Sequence, residues 1–164
     1  MHSKKRFEEP QGLNDVAQFH DTFNLPVLDS PQIPSKERCA LRINLLEEEL
    51  RELKEAIEDG DLIEVADAFC DIQYVLSGAI LEFGLASKFK ALFDEVQRSN
   101  MSKTCKTVDV AEKTLAHYKA SKDTNGYIKK QGDEFLVYRD YDGKVLKSIE
   151  YSPADIKGLL EERI

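Results

Sequence analysis

The sequence is short of cysteine, and the three it has, Cys39, Cys70 and Cys105, are odd in number and scattered. That arrangement indicates neither a disulfide framework nor a zinc motif, and it fits a reducing cytoplasm. Long hydrophobic runs are also missing: no stretch approaches the ~20 apolar residues of a membrane helix. The start, Met1-His2-Ser3-Lys4-Lys5-Arg6, has the charge of a signal peptide but no apolar run behind it. A basic excess is absent as well, with 23 Lys+Arg against 31 Asp+Glu and a net charge of −8 at pH 7. Duplex binding needs a positive stripe, so no nucleic-acid partner is expected. An acidic protein can still take a polyphosphate when metal ions bridge the two. No internal repeat or low-complexity tract occurs. What is present is 164 residues, 41% hydrophobic and 33% charged, the composition of one soluble globular domain large enough for a real core.

The chain is organised around residues 45–84, LLEEELRELKEAIEDGDLIEVADAFCDIQYVLSGAILEFG. The stretch predicts two helices joined by Glu58-Asp59-Gly60-Asp61, with Gly60 as a left-handed stop and Asp61 as the N-cap of the second helix. On a wheel of about 100° per residue, Leu46, Leu50, Leu53 and Ile57 form the apolar arc of the first helix. Glu49 falls at the edge of that arc, Glu52 next to it, and Glu48 further toward solvent. The second helix presents Val65, Ala68, Phe69, Ile72, Val75, Leu76, Ala79 and Ile80 as a broad apolar face. Asp67 and Asp71 share another line, flanked by Ile63, Cys70 and Tyr74 and expected to be partly covered. Burying a carboxylate at a core edge is expensive unless it is paired or binds a metal, and stacked like charges are unfavourable. Oxygen-only donors on two facing helices, with no His or Cys nearby, favour Mg²⁺, with Mn²⁺ as a substitute. The plain alternative, a solvated Glu-rich helix, suits Glu48, Glu55 and Glu58 better than Glu49, Glu52, Asp67 and Asp71.

Around this pair the remaining segments take simple readings. Leu13 to Asn24 predicts a short helix capped by Asn14, with Val16, Phe19 and Phe23 on one face and His20 between the two phenylalanines. His20 reads either as a partly buried structural histidine or as a contact to a base or ribose. Residues 25–34 form a Pro-punctuated loop, either an ordered strap near the site entrance or a connector. Ser35 caps the long helix that runs to about Asp59, and its Arg42 lies within reach of a phosphate or of nearby acids. Ser87 to Ser99 predicts a third amphipathic helix, with Asn100 and Lys103 on the turn beyond it. Asn100 can donate or accept there, and Lys103 offers a point charge suited to phosphate oxygens. Val108 to Ser121 is a further helix. Residues 135–138 and 144–149 predict the arms of a hairpin turning at Tyr141-Asp142-Gly143. Ser152-Pro153 predicts the start of a last helix.

Leu-Glu-Glu-Glu-Leu-Arg-Glu-Leu, followed by a helix bearing an acid, three residues and Asp-aromatic, resembles the all-α nucleoside triphosphate pyrophosphohydrolases of the MazG-like superfamily. Dimeric dUTPases and phosphoribosyl-ATP pyrophosphohydrolases belong to it. Its signature is E-x-x-E on one helix and E-x-x-D on the next. Glu49-Leu-Arg-Glu52 matches the first half. If Asp71 is the second-half Asp, Ala68 stands where the family has Glu, and Asp67 supplies the carboxylate. The register Glu64-x-x-Asp67 also fits. Asp94 to Lys103 resembles the E-V-x-x-S-N-M-x-K element of one branch, where the Asn and Lys face the substrate, and Asp142 to Lys147 resembles a tail of the same branch.

The resemblance implies a mainly α fold, a helical bundle with a small C-terminal β-hairpin. It divides into a flexible 1–12, a helical metal-binding core over 13–121, and a hairpin and helix over 122–164 appended to the same domain. It implies Mg²⁺ held by Glu49, Glu52, Asp67 and Asp71, with Glu48, Glu49 and Lys103 as the catalytic set. Substrate contacts are expected from Asn100, Lys103, His20 and Arg42. The reaction implied is cleavage of a nucleoside triphosphate between the α- and β-phosphates, giving a monophosphate and pyrophosphate, in a homodimer or dimer of dimers. The competing readings are a phosphoribosyl-ATP pyrophosphohydrolase-type enzyme and a non-enzymatic helical interaction module.

Overall fold

The protein is described by a computed structural model covering residues 6–161; the first part of the flexible start expected at 1–12 lies outside the described residues. Among the described residues there are six helices and one two-stranded sheet, so the chain is mainly α with a small hairpin. No single helix among them is long and apolar enough to cross a membrane. The chain divides into two compact units, residues 1–89 and 90–164.

The first unit is built from α1 (Gly12–Thr22), α2 (Lys36–Asp59) and α3 (Leu62–Glu82). Local chemistry sets the ends of the long pair. The Ser35 hydroxyl accepts from the Arg38 N–H at 3.3 Å, which satisfies one of the free donors at the start of α2. Gly60 stops α2 at φ +71°, a conformation that glycine adopts without a Cβ penalty. Asp61 then accepts from the N–H groups of Ile63 and Glu64 and starts α3. So short a turn makes an antiparallel αα-hairpin. α1 begins at Gly12 rather than at an Asn14 cap, and no side chain caps it. Asn14 is instead a helical residue.

The core of this unit is thin. Val16, Ala56, Ala68, Ile80 and Leu81 are buried, but Leu50, Ile57, Phe69 and Leu76, expected on apolar faces, are 39–59% exposed. Three helices cannot cover both sides of so broad an apolar surface. The line of Asp67 and Asp71 with Ile63, Cys70 and Tyr74, expected to be partly covered, is exposed as well, although Phe19 of α1 packs against the Tyr74 ring. The proline-rich segment after α1 is tied to the end of α3: the Leu28 N–H donates to the Leu81 carbonyl and the Gln32 N–H to the Phe83 carbonyl, both at 3.0 Å. Gly84 permits this contact. A Cβ there would stand 2.0 Å from the Ser30 carbonyl oxygen, and its φ of +66° already favours glycine.

The second unit contains α5 (Val108–Lys122), β1 (Gly126–Gln131), β2 (Glu134–Arg139) and α6 (Ile156–Glu161); the boundary falls within α4 (Ala86–Met101). Its core is Cys105, Ala111, Val137 and Leu146, packed with Val110, Leu115, Tyr118, Ile128 and Phe135. The hairpin differs from expectation. β1 and β2 pair antiparallel with Gln131 opposite Glu134, so the tight turn is Gly132-Asp133, with Gly132 at φ +61°. Asp142-Gly143 is a real turn, closed by the Gly143 N–H on the Arg139 carbonyl, but the segment after it meets β2 only through an isolated bridge from Val145 to Tyr138. Gly-Asp and Asp-Gly both suit hairpin turns, and alternation alone did not choose between them. The last helix starts at Ile156 and not at Pro153, because the Asp155 carboxylate accepts from the Gly158 N–H at 2.8 Å and does the capping.

Candidate active site

Helical spacing along α2 and α3 sets the site. In an antiparallel pair, Glu49 and Glu52 on α2 come level with Asp71 and Asp67 on α3. Glu48, Glu52, Asp67 and Asp71 are exposed, whereas Glu49 is half-buried at the edge of the helix pair. One carboxylate oxygen of Glu49, Oε2, is fully buried and has no hydrogen-bond partner. Buried polar atoms are nearly always partnered, so an unpartnered carboxylate oxygen needs an explanation. Its surroundings deepen the anomaly. Burial pushes the Glu49 carboxyl above its usual range, and the negative charges of Asp71, Glu52, Glu48 and Asp67 push it further. Glu64 is not among those charges. Ala68, at the position where the signature would have Glu, is buried, which leaves the carboxylate function to its neighbours.

An all-oxygen donor set of like sign, with an orphaned acceptor at its centre, suits a hard divalent cation. Among the described residues no group of three or more acidic, histidine or cysteine side chains is arranged so that it could hold a metal ion.

A second feature lies one helical turn away. An apolar cavity of about 260 Å³ is lined by Phe19, Leu41, Leu45 and Tyr74, with His20 and Arg42 on its polar side. Phe19 and Tyr74 meet edge to face, with centroids 5.7 Å apart. Leu45 precedes Glu49 by four residues and Tyr74 follows Asp71 by three, so this cavity adjoins the acidic face by helical spacing.

His20 and Arg42 are brought together in this region, but they are engaged with protein groups. His20 is 1% exposed; its Nδ1 lies 2.8 Å from the Pro26 carbonyl and its Nε2 3.0 Å from an Arg42 nitrogen. The same Arg42 guanidinium donates to Glu82 at 2.5 Å, and Arg38 donates to both Glu82 oxygens, at 3.0 Å through Nε. Burial alone would raise the Glu82 carboxyl; the hydrogen bonds and charges of Arg38 and Arg42 more than reverse this and hold it below its usual range. Gly78 makes room for the cluster, since a Cβ there would sit 2.6 Å from the Arg42 guanidinium. Sequence reasoning gave Glu82 no role. The available signal was a lone acid in the apolar run Leu81-Glu82-Phe83, which a buried position tolerates only with a partner.

Asn100 and Lys103 belong to the second unit. Asn100 lies within the last turn of α4 and not beyond it, and Lys103 reaches back to donate from Nζ to Asn100 Oδ1 at 2.7 Å.

Residues 16–100, just over half of the chain, match the sequence profile of phosphoribosyl-ATP pyrophosphohydrolase. The chain belongs to the phosphoribosyl-ATP pyrophosphohydrolase family. This family lies within the MazG-like superfamily, whose members are hydrolases acting on phosphoric anhydrides, and the match covers every acid of the site. The chain is also similar to an uncharacterized protein of Acanthamoeba polyphaga mimivirus, at 35% identity over 75 residues. That alignment covers 43% of this chain and 30% of the viral protein, so the chain spans about a third of that relative's length.

Proposed function

We propose that this protein is a Mg²⁺-dependent nucleoside triphosphate pyrophosphohydrolase that cleaves the α–β phosphate bond, releasing a monophosphate and pyrophosphate. The observation that carries this reading is the buried, unpartnered Oε2 of Glu49 beside four further carboxylates. Glu49, Glu52, Asp67 and Asp71 would hold the metal; Glu64 is the alternative partner. When bound, Mg²⁺ offsets the negative charge of the phosphates and makes water a better nucleophile. Glu48, exposed on the same turn of α2 as Glu49, can accept a hydrogen bond from the attacking water and orient it. Asn100 and Lys103 supply a polar group and a positive charge to the substrate, as the resemblance implies. The cavity lined by Phe19 and Tyr74 suits an aromatic base. His20 and Arg42, engaged with Pro26, each other and Glu82, hold its wall in place rather than contacting the substrate as the resemblance implied.

Exposed Leu50, Ile57, Phe69 and Leu76 support self-association of the helix pair into a dimer or dimer of dimers, since separated apolar side chains on two packed helices gain by mutual burial. Phosphoribosyl-ATP cleavage is the second reading, favoured by the family whose profile matches. A non-enzymatic helical module is the third, favoured by Ala68 at the signature position.

One assay separates them. The protein is incubated with Mg²⁺ and, in turn, each nucleoside triphosphate and phosphoribosyl-ATP, and pyrophosphate is measured. Release from a nucleoside triphosphate, lost by roughly a hundredfold or more in Glu49→Gln, is expected. Release that persists unchanged in the variant removes the assignment, and no release from any substrate favours the module.

A further inference from the structure

The second unit lacks the acidic excess of the first. Residues 1–89 contain 18 acidic against 9 basic side chains, and residues 90–164 contain 13 against 14. Several of those basic residues gather at a single cavity of about 260 Å³. Lys103 comes from the turn after α4 and Lys122 from the end of α5. Arg139 ends β2, and Lys144 and Lys147 follow the Asp142-Gly143 turn; Tyr118 of α5 lies among them. None of the described side chains that line the cavity is acidic.

Main-chain bonds fix this arrangement. The Lys147 N–H donates to the Tyr118 hydroxyl at 3.2 Å, the Ser148 N–H to the Lys103 carbonyl at 3.2 Å, and the Arg139 N–H to the Lys144 carbonyl at 2.9 Å. Three separate segments are thereby held around one space. The partners of the cations are mostly neutral. Lys103 Nζ donates to the Asn100 side-chain carbonyl, Lys122 lies over the Tyr118 ring at 5.3 Å, and Lys147 over the Tyr151 ring at 4.2 Å. Arg139 is held by an acid, Asp142, at 2.9 and 2.5 Å, and the same carboxylate attracts Lys144. A neutral partner orients a cation without cancelling its charge, so one carboxylate, Asp142, is set against the five cations that line the cavity.

We propose that this cavity is an anion site for a small phosphate-bearing ligand, with one phosphate or two linked phosphates. Lysine ammonium groups suit phosphate oxygens because they are compact charges on flexible stems. Tyr118, which accepts from the Lys147 N–H, still has its own O–H to donate. The site shares Lys103 with the hydrolase reading but does not depend on that reading.

The test uses the full chain in EDTA without divalent cations, which keeps the acidic face of α2 and α3 out of the measurement. Failure here therefore leaves the hydrolase reading standing, and the reverse also holds. Inorganic pyrophosphate, orthophosphate and AMP are titrated separately by calorimetry and by amide NMR. Saturable binding is expected, with shifts centred on residues 103, 118 and 144–147. The tightest of the three identifies the source as anhydride, free phosphate or phosphate ester. Lys144→Gln combined with Lys147→Gln should weaken binding about tenfold or more, as loss of charged hydrogen bonds does, with an unchanged thermal melt. The proposal is overturned if none of the three anions saturates, if the shifts fall in residues 1–89, or if the double variant binds as the parent does. Binding of a single-stranded RNA oligonucleotide with none of the small anions would overturn it too.

Discussion

Two charge clusters sit on the same helix pair, and they are built in opposite ways. At one, Glu82 is nearly fully buried, and two arginines from α2 neutralise it and hydrogen-bond both its oxygens. At the other, Glu49 is half-buried, faces four further acids and leaves one oxygen without a partner. The first cluster has its counter-charges within the chain, two arginines on one carboxylate, and it too leaves a buried atom unpartnered, the Arg42 Nε. The second has no internal counter-charge, and in the function proposed above a divalent cation would supply it. The difference teaches that burial alone does not mark a functional acid. What marks it is burial without an internal counter-charge.

The largest expected effect comes from breaking the Glu82 cluster. Glu82→Ala leaves Arg42 buried and unpaired beside His20, and it should lower folding stability by about 3–5 kcal/mol, read as a fall in the urea midpoint. A loss under about 1 kcal/mol would mean that the two clusters are not different in kind. Next is the ligand effect at the Glu49 cluster. Mg²⁺ or Mn²⁺ at a hundredfold excess over its Kd should stabilise the parent by about 2.7 kcal/mol, and Glu49→Gln should abolish most of that rise. A thermal melt that no divalent cation moves would end the comparison.

The smallest effect sharpens the contrast most. In EDTA at pH 7, Glu49→Gln should stabilise the chain by up to about 1 kcal/mol, because it removes a charge held among like charges at a partly exposed position. The sign follows from linkage. The Glu49 carboxyl lies above its usual value in the folded chain, so its contribution is most favourable below the ordinary 4.5 and is lost as pH rises through the raised value. The gain from Glu49→Gln should therefore fade below about pH 4.5. Glu82 behaves oppositely. Its carboxyl is held below the usual range, so its contribution is present above that range and is lost on acidification. Chemical melts of the two variants from pH 3 to 8 should diverge in these directions, and parallel curves would contradict the assignment.

Much of this was legible in the sequence. Gly60 and Asp61 are a stop and a cap by local chemistry, and the structure uses both. The acids of α2 and α3 lie level with one another because helical period and a short turn set the register. The fate of Leu50 and Phe69 was not legible. A wheel reports which face is apolar, but not whether this chain has another element to lie over it. The hairpin turn at Gly132 was missed because Asp142-Gly143 carries the same conformational signal. The basic cavity was missed because Lys103, Lys122 and Lys144 are far apart in sequence and join only through the β2 and α5 contacts.

By itself, the sequence determined the helix pair and the line of carboxylates on each member, because dihedral preferences, capping and period act over a few residues. Tertiary structure decided which acid was paired with arginines and which was left half-buried among like charges. That choice depends on whether an arginine forty residues away folds against the same carboxylate, and no local rule carries that distance.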